Sequence, residues 1–198
     1  VTGDSYSVIN NSPYLEVFRK HGVEVLLMSD RIDEWMMGYL TEFDGKSFQD
    51  VARGELDLSK ITGETSDSDA DDKESKVDSD EHSGTVSRIK TLLGEKVEEV
   101  RSTTRLTDSP ACLVVGDNDM GEQMRKIMEA AGQAVPESKP ILEVNMNHPL
   151  VSKLSGETNE ENATILAKVL FDQAALSAGR PLENPAQFVQ ELNKLMFS

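Results

Sequence analysis

Apolar positions along this chain follow two spacings, and each spacing predicts a different kind of element. Short runs dominated by apolar residues predict β-strands, and longer stretches with apolar residues every three or four positions predict amphipathic helices. The strand-like runs are VEVLL at 23–27, KVEEVRST at 96–103, ACLVV at 111–115 and ILEVN at 141–145. Strand-like runs and helical stretches both occur, and the runs at 96–103 and 111–115 follow each other without a helix between them, so the pattern predicts an α+β protein.

Two early helices are predicted in the first part of the chain. Ser12-Pro13 suits a helix start and Gly22 its end. DRIDEWMMGYL at 30–40 predicts the second, with Asp30 as a capping residue. Asp44-Gly45 marks a turn before a further predicted strand, SFQDV at 47–51. The apolar stripe of the second helix is formed by Ile32, Trp35, Met36, Tyr39 and Leu40.

The second part of the chain ends in two apolar helices, joined by a short loop at Gly179–Asn184. A loop of this length predicts an antiparallel pair. Two such pairs, one from each of two copies, could form a four-helix bundle, or both helices could pack on the sheet of their own chain. The candidate dimerization residues of the pair are Leu166, Val169, Leu170, Gln173, Phe188, Leu192 and Leu195.

One further helix, at 119–131, gathers methionines on a single face, with Asp119 as its cap. Met120, Met124, Ile127 and Met128 share the face, and we call them the methionine stripe. Such a stripe is usually core. Methionine nevertheless adapts its shape to many partners, so the alternative is a binding surface.

Charge divides the 198-residue chain. The net charge is −16, and residues 55–82 hold eleven acidic and three basic residues, a net of −8. A segment this polar cannot bury enough surface to offset its ordering entropy, which predicts a flexible acidic linker. The predicted organisation is a small α/β module at 1–56, the linker at 57–83, and a mixed α/β domain at 84–198.

The same composition argues against several functions. A net negative charge opposes binding to nucleic acid or to anionic membranes. No apolar run is long enough for a membrane span, and Val1–Asn10 has no features of a signal peptide. The single cysteine, Cys112, predicts a small buried hydrophobe in a reducing cytoplasm. Val1-Thr2 resembles the end of a strand, so we expect a fragment of a longer protein.

Catalytic and metal-binding patterns are incomplete. DSDADD from Asp67 has Asp72 where a calcium loop needs glycine, and DGKSF lacks the first glycine of a phosphate loop. The three histidines lie in different predicted elements, without zinc-ligand spacing. The sequence therefore predicts no enzymatic chemistry, no metal site and no cofactor in this chain.

Four long stretches closely resemble the heat-shock protein 90 chaperones. The first, SPYLEVFRKHGVEVLLMSDRIDEWMMGYLTEFDGKSFQDV, is similar to the late middle domain. The other three, RLTDSPACLV, MGEQMRKIMEAAGQAVPESKPILEVNMNHPLV and DQAALSAGRPLENPAQFVQELNKLM, are similar to the C-terminal dimerization domain. The ending KLMFS lacks the acidic co-chaperone tail of cytosolic eukaryotic members, so the bacterial type, high-temperature protein G (HtpG), fits best.

The resemblance implies an ATP-driven homodimeric stress-response chaperone that binds unfolded client proteins. The ATP and Mg²⁺ site of the parent would lie upstream, in an N-terminal domain. The client-binding positions would be Glu34, Trp35 and Gly38 on one helix and the methionine stripe on the other. An aromatic residue is common in the family at Met128, and a polar one at Gly38. Trp35 could equally be core, because it lies on an apolar stripe.

Overall fold

The computed structural model describes residues 1–53, 75–116, 122–134 and 138–197. Its helices and strands confirm the predicted α+β class. The α-helices are α1 (Tyr6–Asn10), α2 (Glu16–Lys20), α3 (Asp33–Met37), α4 (Ser75–Leu93), α5 (Glu122–Ala130), α6 (Pro149–Gly156), α7 (Glu160–Ser177) and α8 (Pro185–Met196). The strands are β1 (Glu42–Phe43), β2 (Lys46–Ser47), β3 (Glu99–Ser102), β4 (Ala111–Val114) and β5 (Ile141–Val144). Short 3₁₀ turns occupy Pro13–Leu15 and Gly94–Lys96.

A three-stranded sheet forms the centre of the second part. β5 lies in the middle, parallel to β3 and antiparallel to β4. Leu142 of β5 is in register with Val100 on one side and Leu113 on the other. Buried strands of this kind read as apolar runs, which explains why the strand predictions at 96–103, 111–115 and 141–145 are confirmed here. Of the strand predicted at 47–51, only Ser47 lies in a strand, at the end of β2.

One face of this sheet is covered by helices of the second part. Ala111, Leu113, Leu142 and Val144 point into this core. They meet apolar side chains of α4, α6 and α7, namely Ile89, Leu93, Val151, Leu154, Leu166, Ala167, Leu170 and Ala174. The apolar faces of α6 and α7 are therefore used within the chain itself.

The other face of the sheet is covered by the first part. Cys112 and Val114 alternate with the residues above and pack against Tyr14, Val17 and Phe18. The Tyr14 hydroxyl also donates a hydrogen bond to the Leu113 carbonyl. Because side chains of a strand alternate between faces, β4 is shared by both cores.

A hairpin closes the first part. β1 and β2 pair antiparallel around Asp44 and Gly45, whose φ angles are 50° and 72°. Two consecutive positive φ angles are those of a type I′ turn, for which Asp-Gly is a preferred pair. The turn predicted at Asp44-Gly45 is confirmed.

The strand predicted at 23–27 does not form. Only Met28 pairs, in a parallel bridge with Thr2, and its N–H donates to the Val1 carbonyl at 3.0 Å. Within the described residues, 23–27 lie in no strand, and the Val1 amine donates to the Leu26 carbonyl at 3.0 Å. These isolated contacts do not make a ladder.

The helix predicted at 30–40 is shorter than expected. α3 holds five residues, and Asp30 does not cap it. Instead the Asp30 N–H donates to the Asp33 carboxylate at 2.8 Å. The predicted stripe faces solvent rather than a core, because no other element covers it in the part of the chain that the structure describes.

Helix α4 begins at Ser75, inside the segment predicted as linker. Extending a helix that is already nucleated adds one hydrogen bond for each residue ordered. Ile89 and Leu93 anchor the later turns in the sheet core, and the buried Thr85 hydrogen-bonds Ser155, so the acidic stretch before them can continue the helix. Residues 54–74, which include most of the predicted linker, lie outside the described residues.

Candidate binding surface

The methionine stripe is partly covered and partly open. Met124 and Met128 are half-buried, whereas Ile127 is 46% exposed. Met120 and the predicted cap Asp119 lie outside the described residues. The stripe is thus neither sealed in a core nor fully wet along the part of α5 that is described.

Helix α3 carries an aromatic surface next to α5. Trp35 is 56% exposed, and its ring packs edge-to-face on Tyr39 with centroids 5.2 Å apart. Ile32 and Phe43 are also exposed. Trp35 is therefore a surface residue of this chain, and the alternative of a core tryptophan is wrong.

Glu34 lies between the two helices, facing inward. Its carboxylate accepts a hydrogen bond from the Met124 N–H at 3.2 Å. Its other oxygen lies 3.5 Å from the Arg53 guanidinium, which in turn lies 3.4 Å from Asp50. The side chain is 12% exposed. Glu34 thus joins α3 to α5 and does not project outward as Trp35 does.

Gly38 ends α3, and its N–H donates to the Trp35 carbonyl at 3.2 Å. A Cβ at this position would sit 3.2 Å from the same carbonyl oxygen, which is a tight contact. The backbone of Gly38 is right-handed helical, a conformation that residues with a side chain also adopt. Gly38 is exposed beside the aromatic surface.

A groove of about 670 Å³ runs from α3 toward the β1–β2 hairpin. Met124 is one of its lining residues, so the methionine stripe and the groove are continuous. Apolar residues supply most of its walls, among them Phe18, Val25, Met28, Met37 and Phe48. The surface around α3 and α5 is therefore large, concave in part and apolar.

Lys126 anchors the other side of α5. Its ammonium lies 2.5 Å from the Asp4 carboxylate and donates to the Gly179 carbonyl at 3.2 Å. Gly179 belongs to the loop between α7 and α8. Helix α5 thus contacts both the start of the chain and the α7–α8 hairpin, which its sequence pattern did not indicate.

The candidate dimerization residues separate into two groups. Leu166, Val169 and Leu170 are buried in a single copy of the chain, and Leu195 packs against the same core. Gln173, Phe188 and Leu192 remain partly exposed. The open apolar positions of the hairpin are instead Leu176, Val189, Met196 and Phe197.

Buried polar groups hold the sheet to the first part. Glu143 of β5 lies 2.7 Å from both the Arg101 and Arg105 guanidinium groups. Arg105 also donates to the Val51 carbonyl at 2.8 Å. Sequence patterns missed this network, although a lone glutamate in an apolar strand was a usable signal, since buried charges require partners.

The buried titratable groups are unsuited to nucleophilic chemistry. Burial, with the Glu143 carboxylate as a second cause, raises the pKa of the Cys112 thiol. Burial likewise raises the pKa of Tyr14. Within the described ranges, no three metal-ligating side chains come together. A reactive thiol needs a lowered pKa, and Cys112 has the opposite.

The family model for the Hsp90 protein matches residues 1–198, the whole chain. The match is to a family of molecular chaperones. The chain belongs to the Hsp90 family. Among its described helices, none combines the length and apolar character required to span a bilayer.

Proposed function

We propose that this chain is the client-holding and dimer-forming part of an Hsp90 chaperone of the bacterial HtpG type. The observation that carries the proposal is the exposed aromatic surface of α3 beside the half-open methionine stripe of α5. Its occupants would be unfolded or partly folded proteins, which present scattered apolar segments. A single free and buried Cys112 supports a reducing cytoplasm as the compartment.

Exposing these side chains has a thermodynamic cost. Each large apolar side chain left in water forgoes roughly 1.5–3 kcal/mol of burial free energy. Contiguous exposed apolar surface in a monomer usually marks a binding site. Thioethers such as Met124 and Met128 repack against varied shapes, and Trp35 adds a large apolar area at low entropic cost. Weak and reversible binding of many sequences follows from these properties.

We propose that dimerization uses the α7–α8 hairpin. The residues that favour this role are those left open in one copy, above all Val189 and Met196 on α8 and Phe197 directly after it. Leu166, Val169 and Leu170 would support the interface from beneath, by holding α7 in place. A dimer would present two client surfaces, and two weak contacts on one polypeptide gain avidity.

A second candidate is a dimerization scaffold that does not bind clients. The half-burial of Met124 and Met128 favours it, because side chains that already pack against their own chain have less surface to offer. The exposure of Trp35 and Ile127 favours client binding instead.

We also propose that this part of the protein performs no chemistry of its own. The raised pKa of Cys112 and the separation of the three histidines support this reading. In the parent chaperone, ATP and Mg²⁺ would act at a site upstream of this chain. Titration of the chain with ATP and Mg²⁺ is expected to release no binding heat.

The client role is tested by removing the surface without touching the core. We expect Met124→Ser with Met128→Ser, and separately Trp35→Ala, to weaken binding of reduced, carboxymethylated α-lactalbumin about tenfold, a loss of about 1.4 kcal/mol. The measurement is fluorescence anisotropy with a labelled, permanently unfolded polypeptide. Met120 is left unchanged.

The matched control is Tyr6→Ser, which removes an exposed aromatic ring from α1, an element other than the two that carry the proposed surface. It should leave the affinity unchanged. Equal affinity in all variants would favour the scaffold. A large loss of thermal stability in the double serine variant would instead show that the stripe belongs to the core.

A further inference from the structure

We propose that Glu34 is a positioning residue: it caps helix α5 from α3 and so sets how the methionine stripe is presented. The inference rests on the proposed client role of the stripe. It assigns Glu34 a function different from the client contact that the family resemblance implied. The Glu34 carboxylate acts on α5, and the stripe of α5 acts on the client.

The cap has the geometry that a helix N-terminus requires. The first turns of a helix leave backbone N–H groups without intrahelical partners, and carboxylates near them are favoured by the helix dipole. Helix α5 begins at Glu122, and the N–H of its third residue, Met124, donates to Glu34. The two residues are 90 positions apart in sequence, so this cap joins separate parts of the fold.

The carboxylate is itself held in place. One oxygen accepts from Met124 and the other faces Arg53 at 3.5 Å. Arg53 is fixed in turn by Asp50, three residues earlier. Glu34 lines the groove, but with both oxygens committed and 12% of its side chain exposed it presents little of its charge to a polypeptide there. Its neighbour Trp35, with more than half of its surface exposed, is better placed for direct contact.

A second restraint acts on nearly the opposite side of α5. Lys126 follows Met124 by two residues, or about 200° around the helix axis. It holds Asp4 and the Gly179 carbonyl. Restraints on two sides fix the rotation of a helix about its own axis. That rotation decides that Met124 faces the groove while Ile127 faces outward.

The first arm of the test measures the cap directly. In the full chain, Glu34→Ala should accelerate amide hydrogen exchange at Met124 about fivefold, the effect of a lost cap. Glu34→Gln retains a neutral acceptor and should give a smaller acceleration. Glu42→Ala removes an exposed carboxylate from the same part of the chain and should change nothing. Unchanged exchange at Met124 in Glu34→Ala would overturn the proposal.

The second arm asks whether Glu34 acts through the stripe. Glu34→Ala is expected to weaken binding of reduced, carboxymethylated α-lactalbumin about threefold to fivefold in the native background. In the Met124→Ser, Met128→Ser background it should cause no further loss, because the surface it positions is gone. Losses that multiply across the two backgrounds would mean that Glu34 contacts the client itself, and the positioning role would be wrong.

The two proposals fail in different ways. If removal of the stripe leaves affinity unchanged, the client function is overturned, and the positioning role is overturned with it. Faster exchange at Met124 would then still establish the cap as a structural contact. If removal of the stripe weakens binding but Glu34→Ala does not, only the positioning role is overturned.

Discussion

The sheet of the second part and helix α3 of the first part differ in the exposure of their apolar side chains. Every residue of β4 is buried, because helices cover one face and the first part covers the other. The stripe of α3 has the same helical spacing as a core face, yet Trp35 and Tyr39 lie open to solvent. Spacing determines which residues share a face, whereas the fold around that face determines whether it is core or binding surface.

The largest effect should come from the charge buried beside the sheet. Glu143→Gln removes the carboxylate that pairs with Arg105, whose side chain is 2% exposed. Removing one partner of a buried ion pair typically costs 3–5 kcal/mol, because the remaining charge stays out of water. We expect a loss of about that size in urea unfolding.

The matched control for this change is Glu99→Gln, at an exposed position of β3 in the same sheet. It should alter the free energy of unfolding by less than about 0.5 kcal/mol. A tolerated Glu143→Gln would mean that the pair contributes little to the stability of the sheet, and the contrast between the two regions would be weaker than the structure indicates.

The next largest loss of stability distinguishes two positions on the α7–α8 hairpin. Leu170 is fully buried against the sheet, and Leu170→Ala should cost about 2–5 kcal/mol by creating a cavity. Val189 is 52% exposed in one copy of the chain, so Val189→Ala should cost far less. Chemical denaturation of both variants measures the difference.

The same hairpin distinguishes stability from assembly. Val189→Asp, placed at an open position, should shift dimers toward monomers in sedimentation equilibrium and leave the fold of each copy intact. Leu170→Asp should unfold the chain instead, since it places a charge in the core. A folded dimer in Val189→Asp would show that this face of α8 does not form the interface.

A smaller effect concerns the contact between α2 and the loop before β4. Burial raises the pKa of Glu16, but hydrogen bonds from the Ser109 hydroxyl and from the N–H groups of Asp108, Thr107 and Ser109 outweigh it. The net pKa lies below its ordinary value of 4.5. A carboxylate whose folded pKa is lowered stabilises the fold above the unfolded pKa and loses this contribution as pH falls through the folded pKa.

Glu16→Gln should therefore destabilise the protein at neutral pH, on the order of 1 kcal/mol for charge-assisted hydrogen bonds at a partly exposed site. The difference from the native chain should shrink as the pH is lowered below about 4.5, the range in which Glu16 takes up a proton. Urea unfolding at several pH values measures it, with Glu24→Gln as an exposed control. A difference independent of pH would refute the assigned cause.

The strands of the three-stranded sheet and the helices of the α7–α8 hairpin were predictable, because their apolar spacing is regular over a sufficient length. The exposure of Trp35 was not, since nothing in the α3 pattern says that its stripe lacks a cover. The inward position of Glu34 was equally hidden, because its partner Met124 lies 90 residues away. Contacts between distant segments depend on how elements pack together, and local periodicity does not specify that packing.

Because β4 presents Leu113 to one core and Cys112 to the other, the two parts of the chain pack on opposite faces of the same strand. Two hydrogen bonds join the parts across this interface: the Tyr14 hydroxyl donates to the Leu113 carbonyl, and Arg105 donates to the Val51 carbonyl. Cleaving a peptide bond between positions 54 and 74 would break the covalent link between the two parts and leave their noncovalent interface at β4 intact. Fragments produced in that way should travel together through gel filtration, and neither one should be expected to fold when expressed by itself.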